Sequence, residues 1–348
     1  MKKVYVLGAG SSAGYEGSYI GITSPVSKNF FSKATDVISV HSIKGRKFYD
    51  NTMTYHNLFK FINDFWGIAP EQINSSGNNI DMEEVLTLLH IELEENPHSL
   101  PLLRASGEYM MLMALTFDKI LYGAPCPHHI KLAKNLSCED VVISFNYELL
   151  MDNSLLSTGM WYPTDGYGVK CGILSDQKLE QPKNKSHVYL LKLHGSFNWL
   201  YCSGCRQLFT AIEKNKQELR LVCNHSDKVF SNHMGCKHPL QPIIIPPTMM
   251  KNYDSMPFTQ QLWHQARAAL ANADQIVIIG YSFPPTDFRT KWLFRKAMLE
   301  SNKKCRKVIL VNHATGDKLA SMLQQYKSLM RTNDIESYPT IADYVATL

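Results

Sequence analysis

The sequence predicts an α/β protein built on a doubly wound, mostly parallel, Rossmann-like sheet. Short and continuously apolar runs recur along the chain, and such runs are typical of parallel strands covered on both faces. Between the second and third runs, apolar residues recur every three or four positions, which predicts amphipathic helices. The alternation indicates a doubly wound sheet that carries a helical insertion and a small zinc-ribbon-like insertion.

The strand candidates are the apolar runs 4–7, 37–40, 141–145, 188–193, 275–279 and 308–311. The helix candidates before the third run are 55–66, 82–94 and 108–121, and Asp81 is a suitable N-cap for the second of them. The polar stretch 152–186 is expected to be a long loop, and one or two helices are expected after Asn312. We therefore expect one domain over 1–348, with a helical insertion at about 50–135 and a zinc-binding insertion at about 200–240.

Composition excludes several classes of protein. The chain has 348 residues, of which 45% are hydrophobic and 19% are charged, as in ordinary globular proteins. The first strand begins almost at Met1, and the longest apolar stretch, 109–117, is too short to cross a bilayer, so we expect a cytoplasmic protein without a membrane partner. The net charge of +5 is spread in short groups, which argues against direct nucleic-acid binding.

Four of the eight cysteines have the spacing of metal ligands. Cys202 and Cys205 form a C-x-x-C pair, followed after seventeen residues by Cys223 and after twelve more by Cys236. Four thiolates predict a closed, structural zinc site, in which His225, His233 or His238 can replace one ligand. The alternative is a chance cluster of reduced thiols. The default role of the other four, Cys126, Cys138, Cys171 and Cys305, is that of small buried hydrophobes.

The first strand runs into a glycine turn, Gly8-Ala9-Gly10-Ser11-Ser12. Glycines let backbone amides approach a phosphate, although such a segment is also compatible with a simple tight turn. A dehydrogenase would need an acidic residue at the end of its second strand to bind the ribose hydroxyls. The candidate 37–40 is followed by His41, and Gly14 lies one position beyond the usual third glycine, so hydride transfer is the weaker hypothesis.

Polar residues follow two of the predicted strands. Asn146 and Glu148 come after 141–145, and His194 comes after 188–193. Because ligands of open α/β sheets bind beyond the carboxyl ends of the strands, these residues should converge with the Gly8 turn and the segment Gly280-Tyr281-Ser282. Singly, an Asn there is usually a turn residue and a His a structural group. If the residues converge, functional roles are favoured instead. His194 is then a candidate base, Asn146 can hold a water or hydroxyl, and Glu148 can bind a carboxamide.

Six motifs in order resemble the sirtuin-like NAD-consuming superfamily, specifically its prokaryotic NAD-hydrolysing branch of antiphage defence proteins. The similar segments are GAGSS (8–12, phosphate turn), FNYE (145–148, nicotinamide), KLHGS (192–196, catalytic histidine), the 202–236 zinc ribbon, IIGYSF (278–283, nucleotide loop) and VILVN (308–312, adenosine ribose). This resemblance implies that Asn146 and His194 are catalytic and that Cys202, Cys205, Cys223 and Cys236 bind structural zinc. It implies NAD contacts for Gly8, Ala9, Gly10, Ser11, Ser12, Glu148, Gly195, Gly280, Tyr281, Ser282 and Asn312.

Three departures from the family pattern affect what the resemblance implies. Glu148 stands where the family usually has Asp, and the segment 17–31 lacks the Pro-Asp-Phe-Arg motif of protein deacylases. In the segment 242–248, which would correspond to their peptide-binding loop, Pro246 and Pro247 have no N–H to donate. Peptide docking is therefore expected to be impaired.

The predicted function is hydrolysis of NAD, the substrate, to nicotinamide and ADP-ribose in a defence or abortive-infection response. Because a permanently active enzyme would deplete its own cell, we expect latency until activation in trans, through homo-oligomerisation or an activating partner. The first alternative is an NAD-dependent protein deacylase, and the second is a non-catalytic module that senses NAD or ADP-ribose. The sequence does not distinguish hydrolysis from cyclisation.

Overall fold

A computed structural model of the protein describes residues 1–41, 55–73, 80–175, 178–180, 185–213, 218–219, 236–244, 257–284, 287–302 and 307–348. The chain forms two compact units. The first contains Met1–Ser12, Pro125–Ile245 and Met249–Leu348, and the second contains Ala13–Ala124 and Pro246–Thr248. The domain limits predicted for the two insertions stay predictions.

The strands are, in chain order, β1 (Lys3–Leu7), β2 (Val141–Ser144), β3 (Cys171–Ser175), β4 (Lys178–Glu180), β5 (Tyr189–Lys192), β6 (Gly195–Cys202), β7 (Gln207–Glu213), β8 (Glu218–Leu219), β9 (Leu240–Ile244), β10 (Gln275–Ile279), β11 (Lys307–Val311) and β12 (Ile335–Tyr338). The helices are α1 (Gly10–Ala13), α2 (Phe30–His41), α3 (His56–Trp66), α4 (Met82–Glu95), α5 (Leu100–Leu121), α6 (Pro127–Lys134), α7 (Leu150–Thr158), α8 (Pro257–Asn272), α9 (Phe288–Glu300), α10 (Gly316–Met330) and α11 (Ile341–Ala346). Short 3₁₀ turns lie at Ser27–Asn29 and Pro70–Gln72.

The first unit is built on a six-stranded sheet in the order β12-β11-β10-β1-β2-β5. Every neighbouring pair in this sheet is parallel. From β1 the chain moves to one side through β2 and β5, and then to the other side through β10, β11 and β12. This confirms the predicted fold class. The strand order reverses between β1 and β10, which is where doubly wound sheets open a ligand crevice beyond the carboxyl ends of the strands.

Five of the six predicted strands are present, and the candidate 37–40 is wrong. That run lies inside α2, which buries Phe30, Phe31, Ala34, Val37 and Ile38. This spacing follows one helical face, so packing of that face overrides the β propensity of the Val-Ile-Ser-Val run. His41 therefore ends a helix and not a strand, so it does not mark the position of a ribose-binding acid. The second strand of the sheet in chain order is instead β2, which pairs with β1 and ends at Ser144.

The prediction of a long loop over 152–186 is also partly wrong, because these residues include most of α7 and all of β3 and β4. The strand β12 was not anticipated, since it is half-exposed at the sheet edge and has no apolar run. The three predicted helices correspond to α3, α4 and the carboxyl-terminal part of α5. As expected, Asp81 caps α4, and its carboxylate accepts the Glu83 N–H at 2.8 Å.

A second sheet in the first unit has the order β4-β3-β7-β6-β9, with β8 added to β7. Strands β3 and β7 are parallel, and the other pairs are antiparallel. Strand β6 begins directly after His194 and ends at Cys202. The second sheet therefore connects the predicted catalytic segment to the cysteine cluster.

The second unit is helical over its described residues. Its core contains Phe30 and Phe31 of α2 against Tyr109 of α5, with ring centroids 6.2 and 5.8 Å apart. The Tyr109 hydroxyl donates to the Met82 carbonyl at 2.6 Å, which links α5 to α4. None of the helices in the described part of the chain is long and apolar enough to cross a membrane.

Candidate active site at the carboxyl edge of the parallel sheet

The predicted site residues follow strands whose hydrogen bonding continues beyond the sheet. Five backbone N–H groups just beyond the strands donate to carbonyls at the ends of neighbouring strands, at 2.9–3.0 Å. The pairs are Leu193 to Ser144, Phe145 to Leu7, Gly8 to Ile279, Gly280 to Val311 and Asn312 to Tyr338. These five bonds fix the positions where the chain leaves β5, β2, β1, β10 and β11. Asn146 and His194 each follow one of the anchored residues. One edge of the sheet therefore carries all the strand-end segments that the sequence analysis selected.

The glycine turn packs closely against Gly280. The Gly10 N–H donates to the Gly280 carbonyl at 2.9 Å. Gly280 has φ of +64°, and a Cβ there would lie 2.2 Å from the carbonyl carbon of Gly10. A Cβ on Gly8 would lie 2.7 Å from the Gly280 oxygen. The glycines are thus required because the backbone segments that follow β1 and β10 pack closely against each other, whether or not a ligand binds.

The amides of this turn already have acceptors within the protein. Besides the Gly8 and Gly10 bonds, the Ser11 N–H donates to Gly8 at 2.8 Å and the Ser12 N–H donates to Ala9 at 3.2 Å. The Ser11 hydroxyl also donates to the Gly8 carbonyl at 2.8 Å. A phosphate bound at these four amides would therefore share them with carbonyl oxygens or displace those oxygens. The phosphate role of the turn stays a prediction.

Asn146 is buried and directed at the glycine turn. Its Nδ2 lies 2.9 Å from Glu148 Oε1, 3.1 Å from the Gly8 carbonyl, 3.1 Å from Ser11 Oγ and 3.2 Å from Ser12 Oγ. A primary amide has only two N–H groups for these four acceptors. The amide can therefore exchange partners without leaving a buried donor unsatisfied.

The Glu148 carboxylate organises this cluster. Its Oε1 accepts from the Ser12 hydroxyl at 2.5 Å and from the Asn146 amide, while its Oε2 accepts the Leu150 N–H at 2.5 Å. Glu148 is only 5% exposed, and such a buried carboxylate requires donors of this kind. The contacts hold the segment after β2 against the segment after β1.

A buried ion pair supports the same segment from β5. Lys192 Nζ donates to the Glu148 carbonyl at 2.6 Å and to Asp152 Oδ2 at 3.0 Å, with both side chains almost fully buried. The other Asp152 oxygen accepts the Tyr167 hydroxyl at 2.6 Å. Burial raises the pKa of the Asp152 carboxyl, and the Lys192 ammonium opposes that effect. Lys192 lies two residues before His194, so this pair links the Glu148 backbone to the histidine strand.

His194 lies in an aromatic environment beside a second carboxylate. Its Nε2 is 3.4 Å from Asp287 Oδ2, and both side chains are buried. The centroid of its ring is 5.0 Å from that of Phe145 and 6.3 Å from that of Tyr147. The next residue, Gly195, has φ of +83°, which starts the sharp turn from the histidine into β6.

Asp287 is a candidate functional residue that the sequence analysis missed. Its Oδ2 accepts the Tyr281 hydroxyl at 2.6 Å, and the Tyr281 ring stacks on Phe145 with centroids 4.4 Å apart. Asp287 follows Ser282 by five residues and has no strand end of its own to mark it. An acidic residue just before the apolar, basic run of α9 was the available signal, but it indicates a helix cap as readily as a site.

The predicted residues thus form two neighbouring groups. One contains Gly8, Ser11, Ser12, Asn146 and Glu148, and the other contains His194 and Tyr281, together with Asp287, which was not predicted. Phe145 connects them, because it precedes Asn146 in the chain and packs on His194 and Tyr281. Ser282 is exposed and Asn312 is half-buried. A single pocket shared by Asn146 and His194 stays a prediction.

A further buried histidine, His129, lies in α6. It is fully buried, and its Nδ1 is 3.1 Å from the Cys126 sulfur. Burial lowers the pKa of His129, and the negative charge of Glu148 acts in the opposite direction. Cys126 is itself buried, and burial raises its pKa, as expected for an unreactive thiol.

The cysteine cluster lies where β6, the following turn and the start of β9 meet. The sulfur atoms of Cys202, Cys205 and Cys236 all lie within 4.8 Å of one another, and those of Cys202 and Cys236 are 3.5 Å apart. His238 Nδ1 lies 3.7 Å from the Cys236 sulfur. Cys223, His225 and His233 lie outside the described residues. Three of the four predicted ligands are therefore brought together, with His238 beside them.

The chemistry of this donor set suits a metal ion. Burial opposes ionisation of Cys202, but hydrogen bonds from Cys205 and Cys236 lower its pKa below the ordinary thiol value. Burial and the adjacent Cys202 raise the pKa of Cys205 to about 11. One thiolate thus hinders formation of the next, and a bound divalent cation removes that opposition. Tetrahedral zinc with Zn–S bonds of about 2.3 Å requires sulfurs at about this mutual distance.

Comparison with known proteins gives structural likeness only. No protein-family model and no curated protein matches the chain. Among solved structures, the chain is similar to several Sir2 enzymes. One, from work on the mechanism and regulation of Sir2 enzymes, shares 14% identity at a TM-score of 0.41, over 99% of this chain and 89% of that one.

Two others show the same degree of likeness. Sir2Tm bound to a propionylated peptide has 15% identity and a TM-score of 0.37, over 75% of this chain and 81% of that one. Sir2 in complex with the inhibitor EX-527, 2′-O-acetyl-ADP-ribose and a deacetylated p53 peptide has 14% identity and a TM-score of 0.38. The match covers 99% of this chain and 91% of that one. At these values the likeness carries no conclusion about activity.

Proposed function

We propose that this chain hydrolyses NAD at the bond between nicotinamide and ribose, releasing nicotinamide and ADP-ribose. The observation that carries the proposal is the set of strand-end segments at one sheet edge, with buried Asn146 and His194 each following an anchored residue. The strand order reverses at the same edge, between β1 and β10. A crevice at such a reversal is where doubly wound sheets bind nucleotides.

The dinucleotide would lie along this edge. Its adenosine end would contact Gly280, Ser282 and Asn312, and its pyrophosphate would lie over the turn from Gly8 to Ser12, with Ala9 and Gly10 between them. The turn amides that now donate to carbonyls would be shared with phosphate oxygens. At the other end, Glu148 would accept from the nicotinamide carboxamide, and Tyr281 and Gly195 would border the ribose.

Asn146 and His194 would act on the same ribose. As the C1′–N bond breaks, its electron pair leaves with nicotinamide and positive charge develops on the ribose. Asn146 would give up one of its four acceptors and hold the attacking water. The water oxygen would bond to C1′ while His194 takes its proton, and that proton then passes to solvent. Phe145 and Tyr147 beside the imidazole would limit access of other water molecules.

The cysteine cluster is proposed to hold a structural zinc ion. Cys202, Cys205 and Cys236 would supply three thiolates, and Cys223 is the predicted fourth ligand. When bound, the ion would neutralise the thiolates and tie β6 to the start of β9. A site closed by four protein ligands leaves no open position for substrate, so its role would be structural.

Regulation and biological role are part of the proposal. An NAD hydrolase that was always active would exhaust the NAD of its own cell, so we infer that the chain is latent in the cytoplasm until a partner protein or self-association activates it. Depletion of NAD would then serve antiphage defence. High activity of a dilute, purified monomer would contradict latency while leaving the hydrolytic activity intact.

Product analysis distinguishes the proposed function from its alternatives. The protein is incubated with NAD alone, at low and high protein concentration, and with an acyl-lysine peptide added, and the products are separated by chromatography. The proposal predicts nicotinamide and ADP-ribose in equal amounts without peptide. Consumption that requires peptide would indicate a deacylase, and binding without turnover, even in the fully assembled complex, would indicate a sensing module. The prolines invoked against peptide docking, Pro246 and Pro247, lie outside the described residues.

A further inference from the structure

Asp287 makes more contacts than a helix cap requires. It precedes α9, and its Oδ1 accepts the Thr290 N–H at 3.2 Å, which is the capping bond. Its Oδ2 accepts the Thr290 hydroxyl at 2.7 Å and the Tyr281 hydroxyl at 2.6 Å. The side chain is only 1% exposed. The carboxylate is thus held from two sides, by Thr290 of α9 and by Tyr281, and its second oxygen, Oδ2, accepts from both.

That second oxygen faces the histidine. His194 Nε2 lies 3.4 Å from Asp287 Oδ2, somewhat beyond the usual N–H···O range of about 2.7–3.2 Å. Catalytic hydrogen bonds are often long before substrate binds. A carboxylate can only accept, so a ring nitrogen that faces it is favoured in its protonated form. The neutral imidazole then has its lone pair on Nδ1.

The surrounding rings hold this arrangement in place. Tyr281 donates to Asp287 and stacks on Phe145 at 4.4 Å, and Phe145 packs on the His194 ring at 5.0 Å. Phe145 is also anchored through its N–H to the Leu7 carbonyl. Carboxylate, tyrosine, phenylalanine and imidazole therefore form a closed set of contacts that restricts rotation of the histidine ring.

We propose that Asp287 is a positioning residue that fixes His194 in its Nε2–H tautomer and so presents Nδ1 as the proton acceptor. For the reaction this rests on the proposed function, in which the water that attacks the ribose gives its proton to Nδ1. The resulting imidazolium keeps its Nε2–H directed at Asp287, whose negative charge stabilises it. Asp287 itself takes up no proton.

The tautomer is measured directly by ¹⁵N NMR of protein labelled at histidine, with the His194 signals assigned by their loss in His194→Gln. Asp287→Asn is the test variant, because Asn caps a helix as well as Asp but removes the charge. Asp81→Asn is the matched control, since the Asp81 carboxylate also caps a helix, by accepting the Glu83 N–H of α4. Steady-state kinetics with NAD and thermal unfolding are recorded for each protein.

The expected result is an Nε2–H tautomer in the wild type, lost or mixed in Asp287→Asn. We expect kcat of that variant to fall on the order of 10²–10⁴-fold with KM changed little, and Asp81→Asn to keep both tautomer and kcat. An Nδ1–H tautomer in the wild type overturns the proposal even if Asp287→Asn fails to fold, as does a folded Asp287→Asn with wild-type kcat. If NAD is not hydrolysed but the tautomer depends on Asp287, the positioning role stands and only the proposed function fails.

Discussion

Asn146 Nδ2 and Ser12 Oγ both donate to one oxygen of Glu148, at 2.9 and 2.5 Å. The other oxygen of Glu148 accepts the Leu150 N–H at 2.5 Å. All three partners are donors, so the Glu148 carboxylate is the acceptor in each of these contacts. The proposed position of the catalytic Asn146 amide therefore depends on Glu148. A glutamine at position 148 can accept at only one of the two oxygen positions, because the other would carry an NH₂ group.

Glu148→Gln should weaken both the site and the fold. Whichever way the amide is oriented, its NH₂ group faces a buried donor, and an unsatisfied buried polar group costs about 1–3 kcal/mol. We expect a lower free energy of unfolding by that amount and at least about a tenfold loss of nicotinamide release. Denaturant titration and the NAD assay measure the two effects. The exposed acid Glu84 provides the control, since Glu84→Gln should change neither; equal behaviour of the two variants would contradict the account.

Lys192→Met should be severely destabilising. The substitution leaves the Asp152 carboxylate buried without its cation, and breaking a buried pair from one side costs about 3–5 kcal/mol. The double variant Lys192→Met, Asp152→Asn removes both charges and should recover much of that loss. Urea unfolding of the two variants tests this coupling.

The exposed pair Lys60–Asp64 serves as control, since Lys60 is 62% exposed and surface pairs contribute about 0–1 kcal/mol. Lys60→Met should therefore have little effect on the unfolding midpoint. A double variant no more stable than Lys192→Met alone would show that charge pairing is not what Lys192 contributes.

Metal content tests the cysteine cluster. The purified protein should contain one zinc ion per chain by elemental analysis, and Cys205→Ser or Cys236→Ser should lose it, with a lower thermal unfolding temperature. Cys138→Ser is the control, because Cys138 is exposed and outside the cluster. Zinc loss in Cys223→Ser but not in His238→Ala would identify Cys223 as the fourth ligand. Wild-type protein free of zinc after purification without chelator would contradict the proposed site.

Buried His129 should make the protein less stable in mild acid. Because burial lowers its pKa below the ordinary 6.5, the unfolded chain takes up a proton that the folded chain does not. The contribution to stability is therefore present above about pH 6.5 and is lost as the pH falls below it, by at most about 1.4 kcal/mol per pH unit. His129→Asn keeps a polar atom near the position of Nδ1 and removes the titration. Free energies of unfolding between pH 5 and 8 should fall less steeply in the variant; parallel curves would contradict this prediction.

Much of the sheet was predictable because its strands are buried on both faces. In β1 and β10 every apolar position is buried, and such strands appear in the sequence as uninterrupted Val, Ile and Leu runs. The half-exposed β12 has no such run, so nothing in its sequence distinguished it from a loop. The run 37–40 misled because four residues are too few to separate strand from helix. The burial of Phe30, Ala34 and Val37 on one face shows the helical period that a longer window would have revealed.

The site was predictable to the extent that its residues follow strands. Asn146, Glu148 and His194 could be selected because parallel strands end at one edge. Asp287 could not, since its contact with His194 depends on how the chain returns from the segment after β10 into α9. The Ser12 hydroxyl that donates to Glu148 likewise lies 136 positions away in the chain, a pairing that only the fold creates. Long-range side-chain contacts are therefore what the sequence did not provide.

The most direct test is nicotinamide release from NAD by the wild type, Asn146→Ala and His194→Ala, each under the conditions that activate the wild type. NAD binding by calorimetry and thermal unfolding are measured on the same samples. We predict that both variants fold and bind NAD while releasing nicotinamide at least about 100-fold more slowly. Wild-type rates in either folded variant would contradict the claim that Asn146 and His194 act together on the nicotinamide ribose.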